Sequence, residues 1–286
     1  MHPYRSVLYM PGSNARALEK ARTVDADAVI LDLEDAVAPA EKPAARDMVC
    51  AMVAEGGFGA RRVLIRVNGA DTEWGQADLA AAITAKPDGI LLPKVNGPED
   101  LDAASAELTD QNIKLWAMME TPLCVFNAAA IAAHPRLGGM VMGTNDLVKD
   151  LGVTLRADRA QISASLQMCL LAARAYGVVC VDGVYNAFKD EAGLRAECEQ
   201  GRDMGFDGKT LIHPAQLAIA NEVFAPDPAA LALAARQIAA YDEAIAAGSA
   251  VAVVDGKIVE NLHVATAKAL IARAEMIAKR AEDAQN

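Results

Sequence analysis

Two acidic residues, Glu120 in Met119-Glu120-Thr121-Pro122 and Asp146 in Thr144-Asn145-Asp146, each follow directly on a short apolar run. Two carboxylates so placed can hold one Mg²⁺, which takes one or two protein carboxylates and fills its other positions with water or substrate oxygens. The chain has four histidines and five cysteines, and no cluster of them competes for a softer metal. A Glu120–lysine ion pair and an Asp146 helix cap would explain the same two residues without a metal. Arg66, in Ile65-Arg66-Val67-Asn68, ends another apolar run. A buried guanidinium needs a partner: either an internal carboxylate, with Glu34 and Asp35 as candidates, or an anionic ligand. Tyr9, Pro11, Gly12 and Ser13 lead into a helical stretch carrying Arg16 and Lys20. A glycine turn onto a helix N-terminus can accept a phosphate, and the two cations can meet a diphosphate; a capped tight turn explains the same residues. His213, in Ile212-His213-Pro214, is a candidate base or hydrogen-bonded scaffolding.

The elements that must position these groups alternate along the chain. Eight apolar runs read as strands: Ser6–Met10, Ala28–Leu33, Val63–Val67, Gly89–Pro93, Leu115–Met119, Met140–Met142, Val178–Val181 and Lys209–Ile212. Helix-like segments separate them. The runs are continuously apolar, as in strands covered on both faces. Eight βα units within 1–225 predict an α/β fold, the (β/α)₈ or TIM barrel, in which chemistry sits where strands end and βα loops begin. The polar residues fall at those ends: Asp32, Glu34 and Asp35 after strand two, Arg66 after three, Lys94 after four, Glu120 after five, Asn145 and Asp146 after six, Asp182 after seven, His213 after eight. A doubly wound sheet is the rival, weakened by the lack of a GxGxxG turn after the first strand. Beyond Pro226 and Pro228 the pattern changes to a long helix, a hairpin turning at Asp255-Gly256 and a second helix. Residues 226–286 are therefore expected to form a C-terminal helical extension that packs on the barrel or on a neighbouring subunit.

The 38 acidic and 27 basic side chains leave a net charge of −11, which argues against a nucleic-acid partner. Hydrophobic residues make up 53%, enough for a large core, while 4% aromatics disfavour an aromatic-rich β-sandwich. No charge-free apolar run has membrane-spanning length, and the N-terminus has no signal-peptide core, so a cytoplasmic protein without a membrane partner is expected. Five cysteines without a CxxC pair read as reduced thiols.

Taken together, Arg5–Gly12, Leu31–Val37, Ile65–Asn68, Leu92–Lys94, Met119–Thr121, Gly143–Leu147 and Gly208–Pro214 resemble the HpcH/HpaI aldolase/citrate lyase β-subunit-like family, which includes the malyl-CoA and citramalyl-CoA lyases. The resemblance runs in order along nearly the whole chain. Gly143–Gly152 and Asp255–His263 look closest to its (S)-malyl-CoA thioesterase branch. It implies a Mg²⁺-dependent barrel acting on acyl-CoA, with Glu120 and Asp146 as metal ligands and Arg66 as the substrate arginine. CoA contacts are implied near Tyr9, Pro11, Gly12 and Lys20 and around Asn145, Ile212 and His213. Some lyases of the group carry an arginine where Asn14 stands, and Arg16 is the expected substitute. A homotrimer or homohexamer is implied, in which the C-terminal segment completes a neighbour's site. Relatives with acid–base chemistry place an aspartate in that segment; here the position is Glu260, one methylene longer. Hydrolysis of malyl-CoA to malate and CoA is the expected reaction, with reversible carbon–carbon cleavage of malyl-, methylmalyl- or citramalyl-CoA as the alternative. A citrate lyase subunit working on a carrier-bound acyl group is the more distant one.

Overall fold

The computed structural model describes residues 2–283; Met1 and 284–286, the outer ends of the two expected regions, lie outside the described residues. Eight strands form: β1 (Ser6–Pro11), β2 (Ala28–Asp32), β3 (Arg62–Arg66), β4 (Gly89–Leu92), β5 (Lys114–Met119), β6 (Leu137–Met142), β7 (Val179–Asp182) and β8 (Gly208–Leu211). Each pairs in parallel with the next, and β8 closes on β1 through Ser6↔Lys209, Val7↔Thr210 and Leu8↔Leu211. This is the expected (β/α)₈ barrel, its strands lying within a few residues of the predicted runs. Three helices escape the sequence reading: Pro122–Phe126, Thr144–Leu151 and Leu217–Val223. All are short. Thr144–Leu151 keeps helical spacing at Leu147, Val148 and Leu151, but its eight residues are a shorter window than an apolar period needs to stand out.

The core has two layers. The larger lies between strands and helices, with Leu18, Val49, Leu101, Ile131 and Leu166 facing Leu8, Leu31 and Ile65. The smaller fills the barrel interior with Val7, Ile30, Leu64, Leu91, Trp116, Met118, Val141 and Val181. Trp116 takes up much of that space because Gly139 makes room for it. A Cβ on Gly139 would lie 2.2 Å from the indole ring.

At the β7–β8 side the barrel buries charge. Lys209 Nζ donates to Asp182 Oδ2 (3.1 Å), Glu197 Oε1 (2.6 Å) and the Gly183 carbonyl (2.5 Å), and Arg159 Nη1 donates to both Asp182 oxygens at 2.8 Å. Asp182 and Lys209 are fully buried. Burial alone would raise the Asp182 carboxyl, but Lys209 and Arg159 outweigh it and hold the group below its ordinary 3.8. Asp182, which the sequence places among the strand-end polar residues, is thus committed to structure.

The chain divides into two compact units, Tyr4–Phe224 and a second that holds the residues after Phe224. The second contains the helix Pro228–Ala246, a hairpin of β9 (Ala252–Val254) and β10 (Lys257–Val259), and the helix Asn261–Asp283. Asp255 (φ 51°) and Gly256 (φ 74°) make the left-handed hairpin turn. Ala252, Val259 and Val264 form a small core with Ile238 and Tyr241. By length and composition the stretch Pro214–Ala246 is apolar enough to cross a membrane. It is interrupted at 224–227 and forms two separate helices.

Lys209→Met leaves Asp182 and Glu197 short of a counter-charge, and breaking a buried pair costs about 3–5 kcal/mol. Urea melts at pH 7 are expected to show that loss. A depressed carboxyl stabilises the fold above its unfolded value and loses that contribution as pH falls, so the difference between the two proteins should shrink below about pH 4.

Candidate active site

A cavity of about 270 Å³ opens where the strands end, bounded by Tyr9, Asp35, Arg66, Glu120, Asp146 and Ile212 among others. The barrel closure therefore brings together side chains separated by up to two hundred residues. Each of the six follows from one rule, that a parallel strand delivers its last residues to the same rim.

Arg66 is held by β2. Asp32 and Arg66 are register partners on adjacent strands. Nε and Nη2 of Arg66 donate to the two Asp32 oxygens, both at 2.7 Å, a bidentate pair. Nη1 lies 2.7 Å from Glu34 Oε2, an ion pair without hydrogen-bond alignment, and donates to Asp35 at 3.3 Å. The guanidinium sits 4.9 Å from the Tyr9 ring centroid. Burial works against its charge, yet Asp32, Tyr9 and Glu34 outweigh that and fix Arg66 well above its ordinary value. Both candidate partners, Glu34 and Asp35, are therefore engaged. The principal one is Asp32, which the sequence places at the end of strand two and the β2–β3 register sets opposite Arg66. Glu34 is half-buried, and desolvation pushes its carboxyl up to about 7, with Arg66 pulling the other way.

Glu120 is 3% exposed. Its Oε1 accepts the Lys94 amide hydrogen at 2.7 Å. Burial pushes its carboxyl up to about 7; the Lys94 amide opposes this and the charge of Asp146 adds to it. Gly143 lets the next loop come close, since a Cβ there would lie 2.3 Å from Glu120 Cβ and 2.6 Å from Oε2. Neither non-metal explanation of the two acids describes what forms. Glu120 meets a lysine amide and not an ammonium, and the helix Thr144–Leu151 begins at Gly143 without a side-chain cap. Glu120 and Asp146 thus line one cavity with mutually unfavourable charge, while Arg66, the one cation among the described lining residues, is paired with Asp32, Glu34 and Asp35. That donor set fits a hard divalent cation. Among the described residues no third histidine, cysteine or carboxylate joins them, which leaves the remaining positions to water and substrate oxygens.

The other expected contacts divide into two groups. Tyr9, Asn145 and Ile212 line the cavity. Tyr9 donates to Met118 Sδ at 3.4 Å, and burial raises its phenol. Asn145 and Asn186 exchange amide hydrogen bonds (2.8 and 3.4 Å). Pro11, Gly12, Arg16, Lys20 and His213 lie outside its lining. The Gly12 amide is spent on the Asp32 carbonyl at 2.8 Å, and Asn14 caps the following helix through Ala17. The turn therefore has no free Gly12 amide for a phosphate. Arg16 and Lys20 are exposed, one turn apart on the helix Ala15–Ala21, and carry no ion pair among the described residues. His213 Nδ1 accepts from the Ala215 amide (3.1 Å), and the ring stacks on Phe188 with centroids 4.6 Å apart. Glu260 belongs to the second unit. It is exposed, and its carbonyl accepts the His263 and Val264 amides at the start of the final helix. The sequence reading did not name Thr144, Asn186 and Thr210, which line the cavity, and it placed Asp32 at a strand end without a role.

Residues 5–214, nearly all of the barrel unit, match the HpcH/HpaI aldolase/citrate lyase family. The chain belongs to this family. Among its members, the (3S)-malyl-CoA thioesterase of Cereibacter sphaeroides (strain ATCC 17023) is 63% identical, covering 97% of this chain and 96% of the relative. The citrate lyase subunit beta of Escherichia coli (strain K12) is 32% identical over 97% of this chain and 95% of its own length. The crystal structure of the protein CitE from Mycobacterium tuberculosis in complex with magnesium, acetoacetate and coenzyme A superposes with a TM-score of 0.80 at 29% identity, covering 96% of this chain and 98% of that one.

A carboxyl raised in the native state stabilises the fold below its ordinary value of 4.5, and that contribution is lost as pH rises through about 7. Glu34→Gln should therefore flatten the fall in Tm of the metal-free chain between pH 5 and pH 8. An unchanged slope in thermal melts across that range would remove Glu34 as its source.

Proposed function

We propose that this enzyme hydrolyses the thioester of (3S)-malyl-CoA to malate and free CoA. The observation that carries the reading is the 63% identity, along 97% of the chain, to a (3S)-malyl-CoA thioesterase. The cavity supports it with two carboxylates facing a fixed guanidinium. Glu120 and Asp146 would hold the cation, with Mg²⁺ the ion found in the Mycobacterium tuberculosis relative. When bound, it supplies positive charge that polarises oxygens of the malyl group and holds them in one orientation.

Arg66 cannot swing away, because Asp32 grips two of its nitrogens. Its position at the cavity suits an anionic oxygen formed as the thioester carbonyl is attacked, and a donor fixed beforehand costs no reorganisation at that moment. Tyr9 and Met118 form an apolar wall that keeps bulk water from the acyl group. Asn145 and Ile212 border the thioester end. Pro11, Gly12 and His213 line the approach for the pantetheine arm, and Arg16 and Lys20 meet the CoA phosphates from a chain that is otherwise strongly acidic. In this reading the chain assembles as a homotrimer or homohexamer, and Glu260 of the partner subunit takes the proton from the attacking water.

Incubation with (3S)-malyl-CoA and Mg²⁺ should release free thiol and malate in equal amounts, without acetyl-CoA or glyoxylate. Stoichiometric glyoxylate with no free CoA would instead establish carbon–carbon cleavage. Glu120→Ala is expected to lower kcat/KM by about 10²–10³-fold, the scale for losing a main electrostatic element, and a chelator should do the same to the unaltered enzyme.

A further inference from the structure

We infer that Lys94 is a positioning residue for the cation site, acting through its main-chain amide and left-handed backbone and not through its ammonium group. The inference rests on the reading that Glu120 and Asp146 hold a divalent cation.

Four residues other than glycine have positive φ among the described residues: Lys86, Lys94, Arg159 and Asp255. Three have a local reason. Lys86 caps the helix Gly75–Ala85, Asp255 turns the hairpin, and Arg159 is bound into the Asp182 cluster. Lys94 (φ 48°) ends no helix and turns no hairpin. It stands two residues beyond β4, and its amide donates to Glu120 Oε1. A side chain in this backbone region is disfavoured and persists where the surroundings over-determine it, commonly at functional sites.

The ammonium group has no matching role. Lys94 is exposed, borders a second cavity of about 650 Å³ beside Glu34, Asn68 and Asn96, and is absent from the lining of the catalytic one. It carries no ion pair among the described residues. Glu120 is therefore located from two sides by main chain: the Lys94 amide takes Oε1, and the bare Cα of Gly143 comes up beside Cβ and Oε2. Oε2 is left as the oxygen available to an ion. A shift of the amide at position 94 frees Oε1 and lets the carboxylate rotate out of that arrangement.

The test is a Mn²⁺ titration of the full chain, read by the loss of the free-ion EPR signal, with far-UV circular dichroism to check folding. Lys94→Gly and Lys94→Asn accept the left-handed region and keep the amide; both should bind Mn²⁺ within about twofold of the unaltered chain. Lys94→Val and Lys94→Thr are β-branched and resist that region. They should weaken Mn²⁺ binding by about tenfold or more, the scale for losing a hydrogen bond to a charged group. Lys94→Thr, the milder change, decides the matter if Lys94→Val does not fold. Unchanged binding by folded Val and Thr variants overturns the inference, as does an equal loss in all four variants, which would assign the role to the ammonium. An unaltered chain that binds no Mn²⁺ overturns the cation reading itself and the inference with it, a pattern distinct from either.

Discussion

The site depends on the neutralisation of Arg66 by Asp32. A guanidinium at the C-terminal end of β3, 6% exposed, is tolerable only with a carboxylate opposite it, and parallel pairing of β2 with β3 supplies one in register. The pairing fixes where the guanidinium points and commits most of its charge to Asp32, so that only its cavity edge remains for a ligand oxygen. Glu120 and Asp146 thereby share a cavity whose one lining cation among the described residues is already paired. Their demand for positive charge is a product of how the β2–β3 pair is satisfied.

Much of this was legible beforehand. Continuous apolar runs at regular spacing gave the closed barrel, because strands covered on both faces admit few polar residues until they reach the rim. For the same reason the rim residues Arg66, Glu120 and Asp146 stood out. Lys94 was singled out for its side chain, yet what touches the site is its backbone, which no composition rule reports. Asp182 followed the same strand-end rule and was buried with Lys209 instead, because the rule cannot see which residue the neighbouring strand places opposite. The helix that carries Asn145 and Asp146 has its apolar residues at helical spacing, but at eight residues it is too short a window to separate from a loop.

The two units answer different constraints. The barrel unit reaches stability through a two-layered core and buried ion clusters. The residues after Phe224 bury little more than a hairpin against two helices and leave Val253, Ile258 and Leu262 more than half exposed. Glu260 lies in this lightly packed unit, so the proposed proton acceptor is carried on a different scaffold from the residues that orient the acyl group.

Trp116 has a bearing on traffic. With Gly139 admitting the indole and Leu64, Leu91 and Val141 filled in around it, the barrel is plugged beneath the reactive groups. The cavity is therefore closed toward the barrel interior and reached from the rim. Whatever goes in acyl end first must come out in reverse order, so the bulky thiol has to vacate the doorway before the small dicarboxylate below it can leave. Under accumulating free CoA, turnover would then be throttled by a blocked exit, with bond breaking unaffected.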